Sequence, residues 1–171
     1  MILPNPRITF LLMFVAVVVL LGAAFYLEYV AGLEPCPLCI SQRVMFLGVG
    51  LVSLIGFVHN PGTVGRRIYG LLVSLWALGG LYFSVRQLWL QNLPEDQVPA
   101  CGPGITYMLD AFPLYDVVRT LLTGDGNCAE VQWTLFGISI PGWATIGFVG
   151  LVLFGIWQAF RTGRDNNGGY R

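Results

Sequence analysis

Residues 8–30 read ITFLLMFVAVVVLLGAAFYLEYV, an apolar run interrupted by one acid, Glu28, close to its end. At 1.5 Å of rise per residue, a helix of this length crosses a hydrocarbon core of roughly 30 Å. The run therefore predicts a first transmembrane helix over about 8–30. A cleaved signal peptide fits less well: the run is long, only Arg7 precedes it, and no clear small-x-small cleavage site follows it. Three further runs have the same character. Val44–Val58 is short unless its helix begins near Cys36, while Ile68–Trp89 and Trp143–Phe160 are long enough alone. The expected fold is an all-α membrane protein, a four-transmembrane-helix bundle with spans at about 8–30, 40–58, 68–89 and 143–160. The whole of 1–171 is expected to form one membrane domain, with loops at about 31–39 and 90–142.

Composition agrees. Hydrophobic residues make up 56% of the 171 and charged residues only 11%, and the mean hydropathy is +0.71, outside the usual soluble pattern. Formal net charge is zero and all nine basic residues are arginine. No basic stripe of the kind that binds nucleic acid is present.

Four spans put both termini on one side, and arginine counts in the short flanks say which. Arg7, Arg66, Arg67, Arg161, Arg164 and Arg171 fall on the side of the termini, against Arg43, Arg86 and Arg119 on the other. The termini are therefore expected to be cytoplasmic. Tyr26, Tyr29, Trp89 and Trp143 would form the outer aromatic belt, Tyr69 and Trp157 the inner one. His59, the only histidine, reads as a solvated residue at the inner end of the second span. Glu28 and Arg86 read first as interfacial anchors near the outer surface, close enough to pair or to influence a site there. All four cysteines fall on the outer side, Cys36 and Cys39 in the short loop, Cys101 and Cys128 in the long one. That is the side on which disulfides persist.

The long outer loop carries its own pattern. Pro94, Pro99, Pro103 and the Cys101-Gly102-Pro103-Gly104 turn predict an irregular, exposed first part. From Pro113 onward, Leu114, Val117, Val118, Leu121 and Leu122 recur at helical spacing, with Asp116, Arg119 and Thr120 facing away. This predicts a short amphipathic helix, with Pro113 in its first turn and Gly124 at its end. Such a helix either lies in the bilayer interface or packs on protein as a small loop core. Gly124-Asp125-Gly126-Asn127 predicts a turn presenting Cys128, so both loop cysteines are expected in flexible, glycine-rich surroundings.

The Cys-x-x-Cys within EPCPLCISQR, 34–43, can be a metal clip, a staple or a redox switch. Structural zinc sites repeat a close pair or add histidines, and neither occurs here, so no metal site is expected. Joining Cys101 to Cys128 would close a loop and stabilise by roughly 3 to 4 kcal/mol on chain-entropy grounds. A two-residue gap closes almost no loop, so Cys36 and Cys39 suit opening and closing better than bracing. If the second helix starts at Pro37, these thiols sit at its positive end, which favours thiolate. Arg43 follows Cys39 by four residues, on the same face. An arginine in a helix's first turn at membrane depth is costly, which favours a function over simple snorkelling to the headgroups. Two outer cysteine pairs can pass electrons by thiol–disulfide exchange. With no nucleotide or flavin fingerprint in the chain, a lipid-soluble acceptor, a membrane quinone, fits the edge pair.

The order PCPLCISQR (35–43), ACGPG (100–104) and GDGNCAEVQW (124–133), set among four spans, resembles the DsbB family of bacterial inner-membrane disulfide bond formation proteins along essentially the whole chain. The resemblance implies a protein-dithiol:quinone oxidoreductase that reoxidises a periplasmic thiol oxidase of the DsbA type, whose own potential is about −120 mV. It further implies that Cys101 accepts the partner's attack and that Cys128 then attacks Cys36. Cys39 would become the thiolate next to the quinone, ubiquinone or menaquinone, with Arg43 holding that quinone. Some relatives carry a histidine after the third span; here the stretch reads Leu90-Gln91-Asn92. Two rival readings stay open at this point. One is a vitamin K epoxide reductase-like thiol oxidoreductase, in which the cysteine order is reversed, and the other is a non-catalytic tetraspan protein with structural disulfides.

Overall fold

A computed structural model describes residues 5–161; Arg164 and Arg171, which the sequence sets on the side of the termini, lie outside this range. Four helices are long and apolar enough to cross a membrane: α1 (Pro6–Tyr29), α2 (Pro37–His59), α3 (Thr63–Gln91) and α6 (Ile140–Phe160). Between α3 and α6 lie two short helices, α4 (Ile105–Ala111) and α5 (Leu114–Thr123), and a hairpin of β1 (Thr134–Leu135) and β2 (Ile138–Ser139). The strands pair antiparallel, Thr134 with Ser139 and Leu135 with Ile138.

The helix starts follow local chemistry. Asn5 caps α1, its side chain accepting from the Arg7 amide, and Pro6 takes the first position, where no amide hydrogen is needed. Cys36 caps α2 ahead of Pro37, and Asn60 ends it in the left-handed conformation at φ 45°. The third span begins at Thr63 rather than Ile68, so Arg66 and Arg67, outside the expected span, stand in the opening turns of α3. Apolarity alone stopped the reading at these arginines. Arg66 is nonetheless buried, because its Nη2 donates to the Arg161 carbonyl at the end of α6, 3.0 Å away. A cation there satisfies an orphan helix carbonyl and the negative end of the dipole.

Helices α1, α2, α3 and α6 enclose a core of Phe10, Met13, Val17, Phe46, Val49, Val73, Ala77, Phe148 and Leu151. The Phe46 and Phe148 rings stack at 3.9 Å between centroids. Gly48, Gly79, Gly80 and Gly147 all meet side chains of neighbouring spans, so these glycines serve contacts within the bundle. Gly80 is the tightest: a Cβ there would stand 2.1 Å from the Phe148 ring. That ring is held by its stack on Phe46, so Gly80→Ala is expected to cost about 1–3 kcal/mol, read as a lower thermal midpoint in detergent.

The loop differs from expectation in several places. Ile105–Ala111 is helical, where only irregular chain was foreseen around it. Pro113 is the residue before the first turn of α5 rather than part of it, its fixed φ of −58° leading into the helix, and Gly124 closes that helix at φ 76°. The apolar face of α5 divides. Val117 is buried and the Leu121 carbonyl accepts from Ser41 Oγ at 2.8 Å, while Leu114, Val118 and Leu122 stay exposed. The helix thus packs on α2 along one edge and leaves an apolar strip outward. His59 is exposed but not unpartnered, since its Nδ1 lies 2.9 Å from the Tyr69 hydroxyl.

Candidate active site

The head of α2 organises the site. Cys36 precedes the first turn with extended backbone, and its Sγ accepts from the Cys39 amide at 3.4 Å. This cap geometry turns both side chains to the same end, and the two sulfurs lie 3.0 Å apart. All four cysteines are free thiols. A bond of about 2.05 Å between Cys36 and Cys39 requires a displacement of only about 1 Å.

Two side chains unnoticed in the sequence lie beneath the pair. Gln87, from α3, directs Nε2 to Cys36 Sγ and to Cys39 Sγ, each at 3.3 Å, while its Oε1 accepts from Gln42 Nε2 at 2.7 Å. Both amides are buried, Gln87 at 3% exposure and Gln42 at 5%. A signal was present in the sequence, since a glutamine inside an apolar span is expensive in lipid unless partnered.

Cys128 approaches from the other side. Instead of occupying a flexible exposed turn, it sits in a single turn of 3-10 helix, Gly126–Ala129, fully buried against Cys36, Leu38, Phe83 and Leu90. The hydrogen bond donated by Cys36 holds the Cys128 thiol below its usual range, with the Leu38 and Asp125 amides acting the same way against burial and the Asp125 carboxylate. Cys36 is raised by the same hydrogen bond to Cys128, then by its contact with Cys39 and by burial. Because Leu38 belongs to the first turn of α2, the positive helix end favours a thiolate on Cys128, whereas the expected thiolate on Cys36 is overturned by its hydrogen bonds and burial.

Gly126 makes this approach possible. Its amide donates to the Ala100 carbonyl at 3.2 Å, and an added Cβ would stand 2.4 Å from the Pro99 carbonyl and 3.0 Å from Cys101 Sγ. Asn127 Nδ2 binds both the Gly102 carbonyl, at 3.0 Å, and Asp125 Oδ2, at 3.1 Å. Segments 99–102 and 125–128 therefore lie together, with Cys128 inside and Cys101 exposed at the rim. Gly126→Ala is expected to force these segments apart, at a cost of about 1–3 kcal/mol, and to expose Cys128 to alkylation at a rate approaching that of Cys101.

On the membrane side of Cys39 is a cavity of about 290 Å³ between α1, α2, the 132–135 segment and the start of α6. Its wall is apolar, with Leu20, Leu27, Phe46, Trp143 and Ala144 prominent and Cys39, Gln42, Arg43 and Glu28 supplying polar atoms. Arg43 neither snorkels outward nor stands as a lone cation. Its guanidinium forms an ion pair with Glu28, donates to the Ala24 carbonyl at 3.4 Å and lies 5.0 Å from the Phe25 ring centroid. Glu28 is thereby more than an anchor: it is the counter-ion of a cavity residue. Arg86 is elsewhere, donating to the Thr123 carbonyl at 3.3 Å and stacking on Trp89 at 4.3 Å. Among the described residues, no group of three or more histidine, cysteine or acidic side chains could hold a metal.

The structure thus brings Cys36, Cys39 and Cys128 into contact, sets Cys101 at the surface beside them and faces Arg43 into the adjoining cavity. Four membrane helices carrying a close dithiol, with a third thiol seated on it, define a thiol oxidoreductase embedded in a membrane. The family described as Disulfide bond formation protein DsbB matches residues 6–158. A Disulfide bond formation protein B of Saccharophagus degradans is 54% identical over 159 residues, covering 93% of this chain and 96% of the relative. Disulfide bond formation protein B 1 of Pseudomonas aeruginosa is 50% identical over 159 residues, covering 93% and 98%. A similar protein of Hahella chejuensis is 54% identical over 144 residues, covering 84% and 87%. The chain belongs to the DsbB family of disulfide bond formation proteins.

Proposed function

We propose that this protein withdraws an electron pair from a periplasmic dithiol oxidase of the DsbA type and delivers it to a membrane quinone. It would do so from a single domain in the bacterial inner membrane, with both termini cytoplasmic and the cysteines periplasmic. One observation carries the reading. The Cys36–Cys39 pair touches Cys128 on its loop side, while Cys39 lines an apolar cavity on its membrane side. A thiol pair placed between a second thiol and a lipid-level cavity is suited to passing electrons from one to the other.

The chemistry balances from a resting state with disulfides Cys101–Cys128 and Cys36–Cys39. A partner thiolate attacks Cys101 Sγ, forming a mixed disulfide and releasing the Cys128 thiolate. Cys128 attacks Cys36 Sγ, breaking the bond to Cys39 and leaving Cys39 as thiolate. The partner's second thiol then displaces Cys101, and the partner leaves as a disulfide. Loss of two electrons and two protons from the protein restores both of its disulfides.

A quinone, when bound, supplies a two-electron, two-proton acceptor. The cavity suits its head group: about 290 Å³, walled by apolar side chains, with a few convergent polar atoms. Arg43 would direct guanidinium donors to a carbonyl oxygen and hold the charge that develops there, with Glu28 fixing its orientation. Phe46, Trp143 and Ala144 would exclude water. Cys39 Sγ would present the electron pair.

A single-turnover experiment tests this step. Fully reduced protein, mixed anaerobically with a short-tailed quinone, is expected to yield quinol as the Cys36 and Cys39 thiols disappear from alkylation maps. Cys39→Ser is expected to yield none. Equal quinol from the Cys39→Ser protein would assign the quinone to another site.

A further inference from the structure

Gln87 has no part in the relay described above and Gln42 only lends a polar atom to the cavity wall, yet their geometry is specific. An amide in an apolar span could satisfy itself against a single neighbour. Gln87 instead points its amide nitrogen at two sulfurs, while its carbonyl accepts from Gln42 at 2.7 Å and, at 3.5 Å, from the Cys39 thiol. The 2.7 Å bond from Gln42 Nε2 to Gln87 Oε1 holds the amide with its nitrogen within reach of both sulfurs. Without that donor, Gln87 could rotate and withdraw its amide nitrogen from both sulfurs.

We propose that Gln87, locked by Gln42, is a positioning residue that sets the redox balance of the Cys36–Cys39 pair by stabilising its reduced form. Thiol and thiolate sulfurs accept hydrogen bonds better than disulfide sulfurs do. A donor 3.3 Å from both sulfurs therefore favours the dithiol over the disulfide. The consequence is a short pair that takes electrons from Cys128 more readily than it otherwise would. This deepens the proposed relay and rests on it for that consequence. The redox balance itself is a property of the pair, measurable with no partner protein and no quinone.

The test equilibrates the purified full-length, quinone-free protein with mixtures of reduced and oxidised dithiothreitol, then maps the alkylated Cys36–Cys39 peptide. In each exchange one dithiothreitol dithiol loses two electrons and two protons as one protein disulfide gains them. Gln87→Met is expected to move the midpoint about tenfold toward disulfide. Gln42→Met, with Gln87 intact, is expected to move it roughly threefold in the same direction. The double variant Gln42→Met/Gln87→Met leaves no unpaired amide, unlike the single change, which strands the Gln42 amide, and should match Gln87→Met. Midpoints within about twofold of wild type in the Gln87→Met and double variants would overturn the proposal. A wild-type midpoint in Gln42→Met would overturn the locking role. Should the protein reduce no quinone while these shifts appear, the relay fails and the redox role of Gln87 stands.

Discussion

Cys128→Ser is expected to stop turnover and to accumulate the protein joined to its dithiol partner through Cys101. The exposed Cys101 is where a soluble protein's thiolate can reach, and Cys128 is enclosed against Cys36 and Leu38. With serine at 128, Cys101 has no resting partner in its own chain. A disulfide-form partner is then captured by the free Cys101 thiol, and no neighbouring thiol passes electrons on to Cys36. Non-reducing electrophoresis should show the mixed disulfide, and peptide mapping should place it at Cys101. Quinol formation with reduced partner should fall to background. A trapped partner on Cys36 would reverse the assigned order of the relay.

The second large effect is expected at Arg43. Removing the guanidinium in Arg43→Met takes away a charged donor from the cavity and leaves Glu28 without its counter-ion. Hydrogen bonds to charged groups contribute about 1.5–3 kcal/mol, so the quinone KM should rise roughly tenfold to a hundredfold. Part of the loss is stability. The two side chains are 18% and 21% exposed, so the orphaned carboxylate costs less than a fully buried one, about 1–3 kcal/mol. The double variant Glu28→Gln/Arg43→Met separates the terms. It should recover the thermal midpoint in detergent while keeping the raised KM. Recovery of KM as well would show that Arg43 acts on the fold alone.

These expectations draw on features that the chain reveals to very different degrees. The four spans could be read directly, because lipid requires a continuous apolar surface over about twenty residues and tolerates few exceptions. The Cys-x-x-Cys, its position at a helix start and the facing of Arg43 came from local spacing, which helices convert into geometry without help from the rest of the fold. Pairings between distant segments were harder. Glu28 with Arg43, Gln42 with Gln87 and Cys128 with Cys36 join residues on separate elements, and no periodicity encodes which of several facing residues meet. The buried position of Cys128 was missed for a related reason. Gly126 was read as a source of flexibility, whereas its lack of a Cβ lets two chain segments pack tightly. The start of α3 was misplaced because hydropathy treats Arg66 as a boundary, and only the α6 carbonyl it caps explains its burial.

The pair Cys36–Cys39 is central to all of this: on one side it meets Cys128, on the other the cavity beside Arg43. The most direct measurement of that arrangement is turnover by purified protein supplied with a reduced periplasmic dithiol oxidase and excess quinone, in the absence of oxygen. One quinol is expected for each partner disulfide, with both products abolished together by Cys39→Ser. Partner oxidation without quinol, or no turnover by intact protein shown to bind quinone, would contradict that arrangement.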